Sequence, residues 1–161
     1  MESSPHVAPS GQLVPGQSHL LFQLGVFTLA LPLSAVLSVE RPGRFTAVPF
    51  AVPWLRGVAA VGGAIVSVVD LGTFAGGRPA GTSPGARLLV THWGSVTAGL
   101  LVDRVTGLTS LPPTLSPVPV SSGPLAAYWR GAHTLDGEVV FVLDPQQLVQ
   151  APAFHTYQTS N

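Results

Sequence analysis

Short apolar runs, each ended by glycine, proline or aspartate, make up most of this chain. Residues 57–61 and 64–69 are two such runs, and Gly62-Gly63 lies between them. Two residues that tolerate positive φ, placed between apolar runs rich in β-branched side chains, predict a β-hairpin. Three further pairs of runs surround Gly25, Gly94 and Asp136-Gly137: 20–24 with 26–31, 87–92 with 96–102, and 125–135 with 138–143. The pattern therefore predicts four hairpins, and a run at 105–111 adds one more strand.

Two of the predicted strands end in an aspartate that is suited to start a short helix. Asp70 precedes residues 71–74, and Asp144 precedes Pro145 and residues 146–149. An aspartate caps a helix by accepting backbone N–H bonds, and proline is favoured at the first helical position. The two aspartates also invite comparison with the dyad of an aspartic protease, but neither lies in the D-[ST]-G loop that such a dyad requires. We interpret both as helix caps.

Segments rich in proline, glycine and serine predict tails and loops. Few large apolar residues occur in 1–18, so we expect a flexible tail there, a folded region at 19–150 and a second tail at 151–161. The predicted loops are 41–53, with one short strand around 45–48; 75–85, which is flexible and contains nothing that can pack; and 112–124, an extended crossover with five prolines.

The chain contains two copies of one unit. A shift of 74 residues aligns two sets of four residues: Arg56, Gly57, Gly63 and Asp70 with Arg130, Gly131, Gly137 and Asp144. A shift of 69 residues aligns the hairpin around Gly25 with the hairpin around Gly94. Any two apolar hairpins align to some extent, but the ordered pairs favour duplication. Two sets of about five short strands predict an all-β fold of two small barrels, an arrangement that removes exposed sheet edges.

Composition excludes several classes of function. The 161 residues suffice for one domain or for two small lobes with a shared core. Seven arginines balance seven acidic residues, so there is no basic surface for nucleic acid. The absence of lysine excludes a G-x-x-x-x-G-K-[ST] phosphate loop and a Schiff base, and the absence of cysteine excludes disulfides and thiol catalysis. Only 9% of residues are charged, against about 25% in typical domains, so we expect an apolar surface that partner proteins cover.

Residues 20–39 carry no charge and are numerous enough to cross a membrane as a helix. Gln23, Pro32 and Ser34 interrupt the segment, however, and no basic region precedes it as in a signal peptide. We therefore predict a cytoplasmic chain that does not span a membrane.

No group of side chains predicts a metal site, a cofactor site or a catalytic centre. The five histidines are scattered, without the i, i+2 or i, i+4 spacing of metal ligands. Ser95 lies at a predicted turn and lacks the G-x-S-x-G context of a hydrolase nucleophile. Asp103, Asp136 and Glu138 are interpreted as ordinary turn and edge charges. We predict that the chain is not an enzyme.

Residues 56–71 resemble the signature of the CheW-like family, roughly G-V-x-N-L-R-G-x-V-V-P-V-x-D-L. The matching positions are Gly57, Val58, Val61, Gly63, Ile65, Val66, Val68, Asp70 and Leu71. Segments 22–36, 99–105 and 131–144 also resemble family segments and occur in the family order. The resemblance covers most of the chain and implies two intertwined SH3-like five-stranded β-barrels with an apolar groove between them.

The resemblance also implies a function. CheW-like proteins are adaptors without catalytic activity that couple the cytoplasmic tip of a chemoreceptor to a CheA-type histidine kinase. One barrel face pairs with a similar barrel on the kinase, and the groove receives the receptor's helical hairpin. Matching positions give the partner-binding candidates Val36, Ser38, Gly57, Val58 and Gly62.

Two of these candidates, Val36 and Gly57, are expected at the lip of the groove, where they face solvent before a partner binds. Trp54 is a further partner-binding candidate because of its residue type. It lies beside Arg56 in a predicted loop, and aromatic and arginine side chains are enriched at interfaces.

The chain departs from the chemotaxis branch of the family at three positions. Ala60 and Gly62 stand where that branch usually has asparagine and arginine, and Ser38 stands where many members have an acidic residue. Loss of both members of such a charge pair leaves no unpaired buried charge. We therefore expect a divergent member that serves chemotaxis or type IV pilus motility.

Two other functions stay open on the residues alone. One is a small β-barrel ligand-binding protein or hydrolase with a site between the lobes, which would need convergent polar groups in a pocket. The other is a β-barrel subunit of an unrelated complex.

Overall fold

The computed structural model describes residues 6–7, 13–14, 16–118 and 125–150. The strands are β1 (His6–Val7), β2 (Leu13–Val14), β3 (Gln17–Leu24), β4 (Phe27–Pro32), β5 (Val36–Glu40), β6 (Leu55–Val61), β7 (Ala64–Asp70), β8 (Arg87–Trp93), β9 (Val96–Val102), β10 (Arg104–Leu111), β11 (Trp129–Leu135) and β12 (Glu138–Leu143). The helices are α1 (Leu71–Phe74) and α2 (Pro145–Val149), and single 3₁₀ turns occur at Leu33–Ala35 and Ala126–Tyr128.

The strands β3 to β12 form two five-stranded sheets. The first sheet has the order β10-β3-β4-β12-β11, and the second sheet has the order β5-β8-β9-β7-β6. Neighbouring strands are antiparallel except for β4 with β12 and β7 with β9, which are parallel. Each sheet is the body of one lobe, and this arrangement confirms the predicted all-β fold with two SH3-like lobes. Strands β1 and β2 form a separate antiparallel pair.

The two sheets are related by the repeat. The five strands β3–β7 correspond in order to the five strands β8–β12, so that β3 corresponds to β8 and β7 to β12. When each strand is exchanged for its counterpart, the strand order of the first sheet becomes that of the second. The register irregularities also correspond, since they lie between Val36 and Ser38 in one half and between Val105 and Gly107 in the other. This symmetry supports duplication over the chance similarity of apolar hairpins. Each sheet contains strands from both halves, so the lobes are intertwined.

Both sheets contribute to one main hydrophobic core. Its fully buried side chains include Phe22 and Leu29 of the first sheet and Leu88 and Leu100 of the second. Leu148 of α2 is buried in the same cluster. Since burial of a leucine or phenylalanine side chain contributes about 1.5–3 kcal/mol, this shared core holds the two lobes together.

The hairpin turns have the conformations that their residues predict. Gly62 and Gly63 have φ of 56° and 83°, and Asp136 and Gly137 have φ of 51° and 84°. Positive φ at both central positions is the type I′ turn, whose twist matches that of the flanking strands. The four predicted hairpins are confirmed, with one difference: residues 125–128 include a 3₁₀ turn, and the strand begins at Trp129.

The interpretation of 75–85 as a flexible loop in which nothing can pack is wrong. Ala80 is fully buried, and its N–H donates to the Asp70 carboxylate over 2.9 Å. A Cβ on Gly72 would lie only 2.2 Å from the carbonyl oxygen of Arg78, so the loop sits directly on α1. Small residues in this loop permit close backbone contact, which an apolar pattern does not reveal.

The other predicted loops are described in part. The short strand expected around 45–48 is a single bridge between Thr46 and Val58. In the crossover, Ser116 bridges Ala132, and 119–124 lie outside the described residues. The predicted tails at 1–18 and 151–161 also lie mostly outside them, although β3 begins at Gln17. Segment 20–39 forms strands and a 3₁₀ turn, and no helix of the described residues has the length and apolarity needed to cross a membrane.

Candidate functional site

An apolar groove of about 410 Å³ lies between the first sheet and the segment that follows β7. On one side it is lined by the β3–β4 hairpin, and on the other by α1 and the loop after it. The lining residues, which define the groove, are Leu24, Gly25, Val26, Phe27, Leu29, Gly72, Ala75, Gly77, Arg78, Pro79, Thr82, Asp103, Leu125, Ala126, Trp129 and Phe141. The groove therefore takes its walls from segments that are far apart in the chain.

Three aromatic side chains form one wall of the groove. The ring centroids of Phe27 and Phe141 are 5.9 Å apart with an edge-to-face orientation, and those of Trp129 and Phe141 are 5.2 Å apart. Phe27 is 53% exposed, and Val26 at the tip of the hairpin is 88% exposed. Adjacent exposed apolar side chains at the edge of an apolar groove are typical of a surface that binds another protein.

The opposite wall is held in place by Asp70. This carboxylate is fully buried, and its Oδ1 accepts the N–H groups of Thr73, over 3.0 Å, and Ala80, over 2.9 Å. Its Oδ2 lies 3.1 Å from Nη1 of Arg56. The predicted helix cap is confirmed by the bond from Thr73. In addition, the bond from Ala80 fixes the loop that lines the groove, so Asp70 determines the position of that wall.

The β3–β4 hairpin is held by two further polar contacts. The N–H of Gly25 donates to Oδ2 of Asp103 over 2.7 Å. Nearby, Gln23 Nε2 donates to the Thr28 hydroxyl over 2.7 Å, and that hydroxyl donates to the Glu138 carboxylate. Asp103 and Glu138 are thus more than turn and edge charges, because both connect the hairpin to other strands. The groove wall is fixed before any partner binds.

The described lining of the groove is mainly apolar. Among the described residues, the lining contains no histidine, serine or cysteine, and one carboxylate, Asp103, which accepts the Gly25 N–H. No group of three or more potential metal ligands occurs in the part of the chain that the structure describes. His19 is buried on β3 away from the groove, and burial lowers its pKa below the ordinary value of 6.5. The convergent polar groups that a hydrolase or small-ligand site would need are not among the lining residues.

None of the six sequence-predicted site residues lines the groove. Val36 and Ser38 are half-buried on β5, and Val36 packs against the main core. Val58 is half-buried on β6, and Trp54 packs edge-to-face on Phe74 with centroids 5.4 Å apart. Five of the six residues belong to β5, β6 or the turn after β6, and Trp54 directly precedes β6. All six are thus attached to the second sheet.

Gly57 is buried, so the expectation that it faces solvent is wrong. Its φ is 140°, and a Cβ at this position would lie 2.2 Å from the carbonyl oxygen of Thr46. That carbonyl accepts the N–H of Val58 over 2.9 Å. Glycine is therefore required here because another backbone segment crosses β6 at close range.

Gly62 lies in an exposed turn beside a second, smaller cavity of about 210 Å³. Glu40 at the end of β5 and Arg44 line the same cavity. Strands β5 and β6 are the two edge strands of the second sheet, and the last residue of each lines this cavity. The cavity therefore lies where the sheet curves round and brings its two edges together. Ser38 lies on β5 two residues before Glu40 and does not line this cavity.

The sequence pattern does not identify the groove residues as a set. The main reason is that the groove joins 24–29, 72–82 and 125–141, which no local pattern connects. One signal does identify part of it: Val26 and Phe27 directly follow the turn residue Gly25, where polar side chains are usual in hairpins. Large apolar residues at a hairpin tip indicate contact with something outside the sheet.

Comparison with known proteins agrees with this architecture. Residues 18–153 match the family model of the CheW-like domain. Protein FrzA of Myxococcus xanthus is 31% identical over 150 residues, which are 91% of this chain and 94% of FrzA. Protein PilI of Pseudomonas aeruginosa is 32% identical over 101 residues, which are 63% of this chain and 57% of PilI. The crystal structure of the scaffolding protein TtCheW from Thermoanaerobacter tengcongensis has the same fold, with a TM-score of 0.76 at 21% identity, over 86% of this chain and 95% of that chain. This chain belongs to the CheW-like domain family.

Proposed function

We propose that this chain is a non-catalytic adaptor that couples a chemoreceptor to a CheA-type histidine kinase in a chemosensory array for chemotaxis or type IV pilus motility. The observation that carries the proposal is the preformed apolar groove, whose walls are fixed by Asp70 and Asp103. Both partners act at the cytoplasmic side of the membrane, so the adaptor acts in the cytoplasm.

The groove binds the helical hairpin at the cytoplasmic tip of the receptor. In the repeat, α1 is equivalent to α2, and β3–β4 are equivalent to β8–β9. Helix α2 packs against β8 and β9, whereas residues of α1 and of β3–β4 line the groove. The groove thus occupies the place where the other half of the chain has a helix against a sheet, which supports a helix as its occupant.

The kinase binds the second lobe, through the surface around β5 and β6. This surface contains the six candidates Val36, Ser38, Trp54, Gly57, Val58 and Gly62. Gly57 contributes by allowing the segment around Thr46 to cross β6. Val58 and Ser38 are both half-buried, and they contribute apolar and polar surface area, respectively. Separate surfaces permit one adaptor to hold receptor and kinase at the same time.

The residues at 38, 60 and 62 indicate a partner that differs from those of the general chemotaxis system. Ala60 and Gly62 are exposed, so an arginine at position 62 would be available to a partner. This chain has glycine at that position instead. A kinase that binds here needs no carboxylate opposite that position. This supports a divergent adaptor with its own kinase and receptor.

Co-purification of matched variants tests the receptor site. Phe27→Asp places a charge on an exposed groove residue, which a bound helix would have to desolvate. We expect Phe27→Asp to lose the receptor tip from the same cell and to retain the CheA-type kinase. Leu108→Asp is the control, because Leu108 is 64% exposed on the first sheet and does not line the groove. Failure of the wild-type chain to bind either partner would end the adaptor proposal, and equal receptor binding by Phe27→Asp would move the receptor site elsewhere.

A further inference from the structure

Phe50 combines two features that are unfavourable in the free chain. Its side chain is fully exposed, the most exposed large apolar side chain of the described residues. Its φ is 60°, in the left-handed region that bulky residues rarely adopt. Among the described residues, only Asp136, in a hairpin turn, shares positive φ without being glycine. Phe50 is the outlier, because aspartate tolerates this region far better than phenylalanine does.

The strain arises from the turn in which Phe50 lies. The N–H of Ala51 donates to the carbonyl oxygen of Val48 over 3.3 Å, and Pro49 and Phe50 occupy the two central positions. Proline at the first central position and positive φ at the second define a type II turn, where glycine or asparagine is the usual second residue. A phenylalanine therefore replaces the residue that this turn prefers, and the turn directs its ring into solvent.

Phe50 lies on the second lobe, in a loop that also carries exposed arginines. The turn follows the Thr46–Val58 bridge, so it lies over the second lobe beside β6. The loop 41–53 contains two arginines and no acidic residue, and Glu40, which lines the same cavity as Arg41 and Arg44, directly precedes it. Arg56 is paired with Asp70, but Arg41 and Arg44 are exposed and form no ion pair with the described carboxylates. An exposed aromatic ring thus lies on a loop that carries two exposed arginines, neither of them paired with a carboxylate of the described residues.

We propose that Phe50 is the anchor of the kinase interface, and that its ring enters an apolar pocket bordered by carboxylates on the CheA-type kinase. This inference rests on the proposed function. The kinase is the partner because Phe50 does not line the groove that receives the receptor, whereas its turn adjoins the β6 surface. A rigid, proline-containing turn presents the ring in one orientation, so little conformational freedom is lost on binding. Buried aromatic anchors of this kind contribute most of the affinity of an interface.

Phe50→Asn separates this role from a structural one. Asparagine suits the second position of a type II turn, so we expect the variant to melt at the same temperature as the wild type or higher. We also expect its affinity for the kinase from the same cell to fall by about 30-fold or more, as for an interface hot spot. Binding of the receptor tip should not change. The control is Leu108→Asn, since Leu108 is 64% exposed on the first sheet and should affect neither partner.

Each outcome decides a separate point. If the wild-type chain does not bind the kinase, the proposed function fails and the anchor fails with it. If the wild type binds and Phe50→Asn binds equally well, only the anchor is wrong. If Phe50→Asn bound the receptor alone more weakly, or both partners equally weakly, the role of Phe50 as the kinase anchor would also be wrong. Arg44→Glu tests the proposed carboxylates around the kinase pocket. This variant should weaken kinase binding, and a complex of equal or greater affinity would contradict the presence of those carboxylates.

Discussion

Asp70 and Asp144 occupy equivalent positions in the two halves of the chain, yet only Asp70 is fully buried in a close ion pair. Nη1 of Arg56 is 3.1 Å from Asp70, whereas Nη2 of Arg130 is 3.8 Å from Asp144, whose side chain is 25% exposed. Both aspartates cap a helix, since Asp144 accepts the N–H groups of Gln146 and Gln147. The additional bond from Ala80 to Asp70 joins that cap to the groove wall.

Substitution of the two aspartates should have unequal effects on stability. Asp70→Ala leaves the buried N–H of Ala80, the partly buried N–H of Thr73 and the partly exposed Arg56 without their acceptor, so we expect a loss of about 2–4 kcal/mol. Asp144→Ala should cost about 1 kcal/mol, and Asp144→Asn less, because asparagine caps nearly as well. Urea unfolding measures all three free energies. Equal losses for Asp144→Asn and Asp144→Ala would contradict the capping role.

Two glycines with positive φ should differ in their tolerance of alanine. Gly57→Ala places a Cβ within contact of the Thr46 carbonyl in addition to the strain of its φ, so we expect a loss of more than about 2 kcal/mol. Gly62→Ala meets no atom within 4 Å and should cost only the strain, about 1–2 kcal/mol. Chemical denaturation of the two variants provides the comparison. A smaller loss for Gly57→Ala than for Gly62→Ala would show that the backbone crossing at Thr46 is loose.

Stability should fall as the pH is lowered through the range in which His19 titrates. Burial is the main cause of its lowered pKa, the bond to the Gln17 carbonyl opposes it, and Arg130 adds to it. Because the unfolded chain takes up the proton at a higher pH than the folded chain, stability is greatest above about pH 6.5 and decreases below it. His19→Gln should reduce this dependence, with His133→Gln as the control. Urea midpoints at pH 7.5 and 5.5 test it, and an unchanged slope in His19→Gln would assign the effect to another group.

Val36→Asp should destabilise the fold, so its effect on an interface cannot be separated from its effect on stability. Val36 is half-buried and packs against the core, so a carboxylate there should cost about 2 kcal/mol or more. The adjacent Leu37 is 58% exposed, and Leu37→Asp should change stability by less than about 0.5 kcal/mol. Thermal melting distinguishes the two. An equally stable Val36→Asp would mean that the valine faces solvent, as its place in the sequence pattern predicted.

The elements of this fold are more predictable from the sequence than its site. Gly62-Gly63 and Asp136-Gly137 determine their turns through backbone conformation alone, and the two aspartate caps follow from residue type. The groove depends instead on contacts between distant segments. The packing of the loop after α1 cannot be predicted in this way, because Ala80 is held by its backbone N–H, a group that every loop residue except proline possesses and that no side-chain pattern reveals.

Intertwining of the two halves has a consequence for how this chain is made. Gln17 pairs with Leu111, and Thr28 pairs with Val140, so β3 and β4 have only each other as neighbours until most of the polypeptide has left the ribosome. The second sheet, by contrast, is complete once Val102 has emerged. Folding during synthesis is therefore asymmetric, and the β3–β4 hairpin, with its apolar tip uncovered, is the segment that depends longest on protection from aggregation.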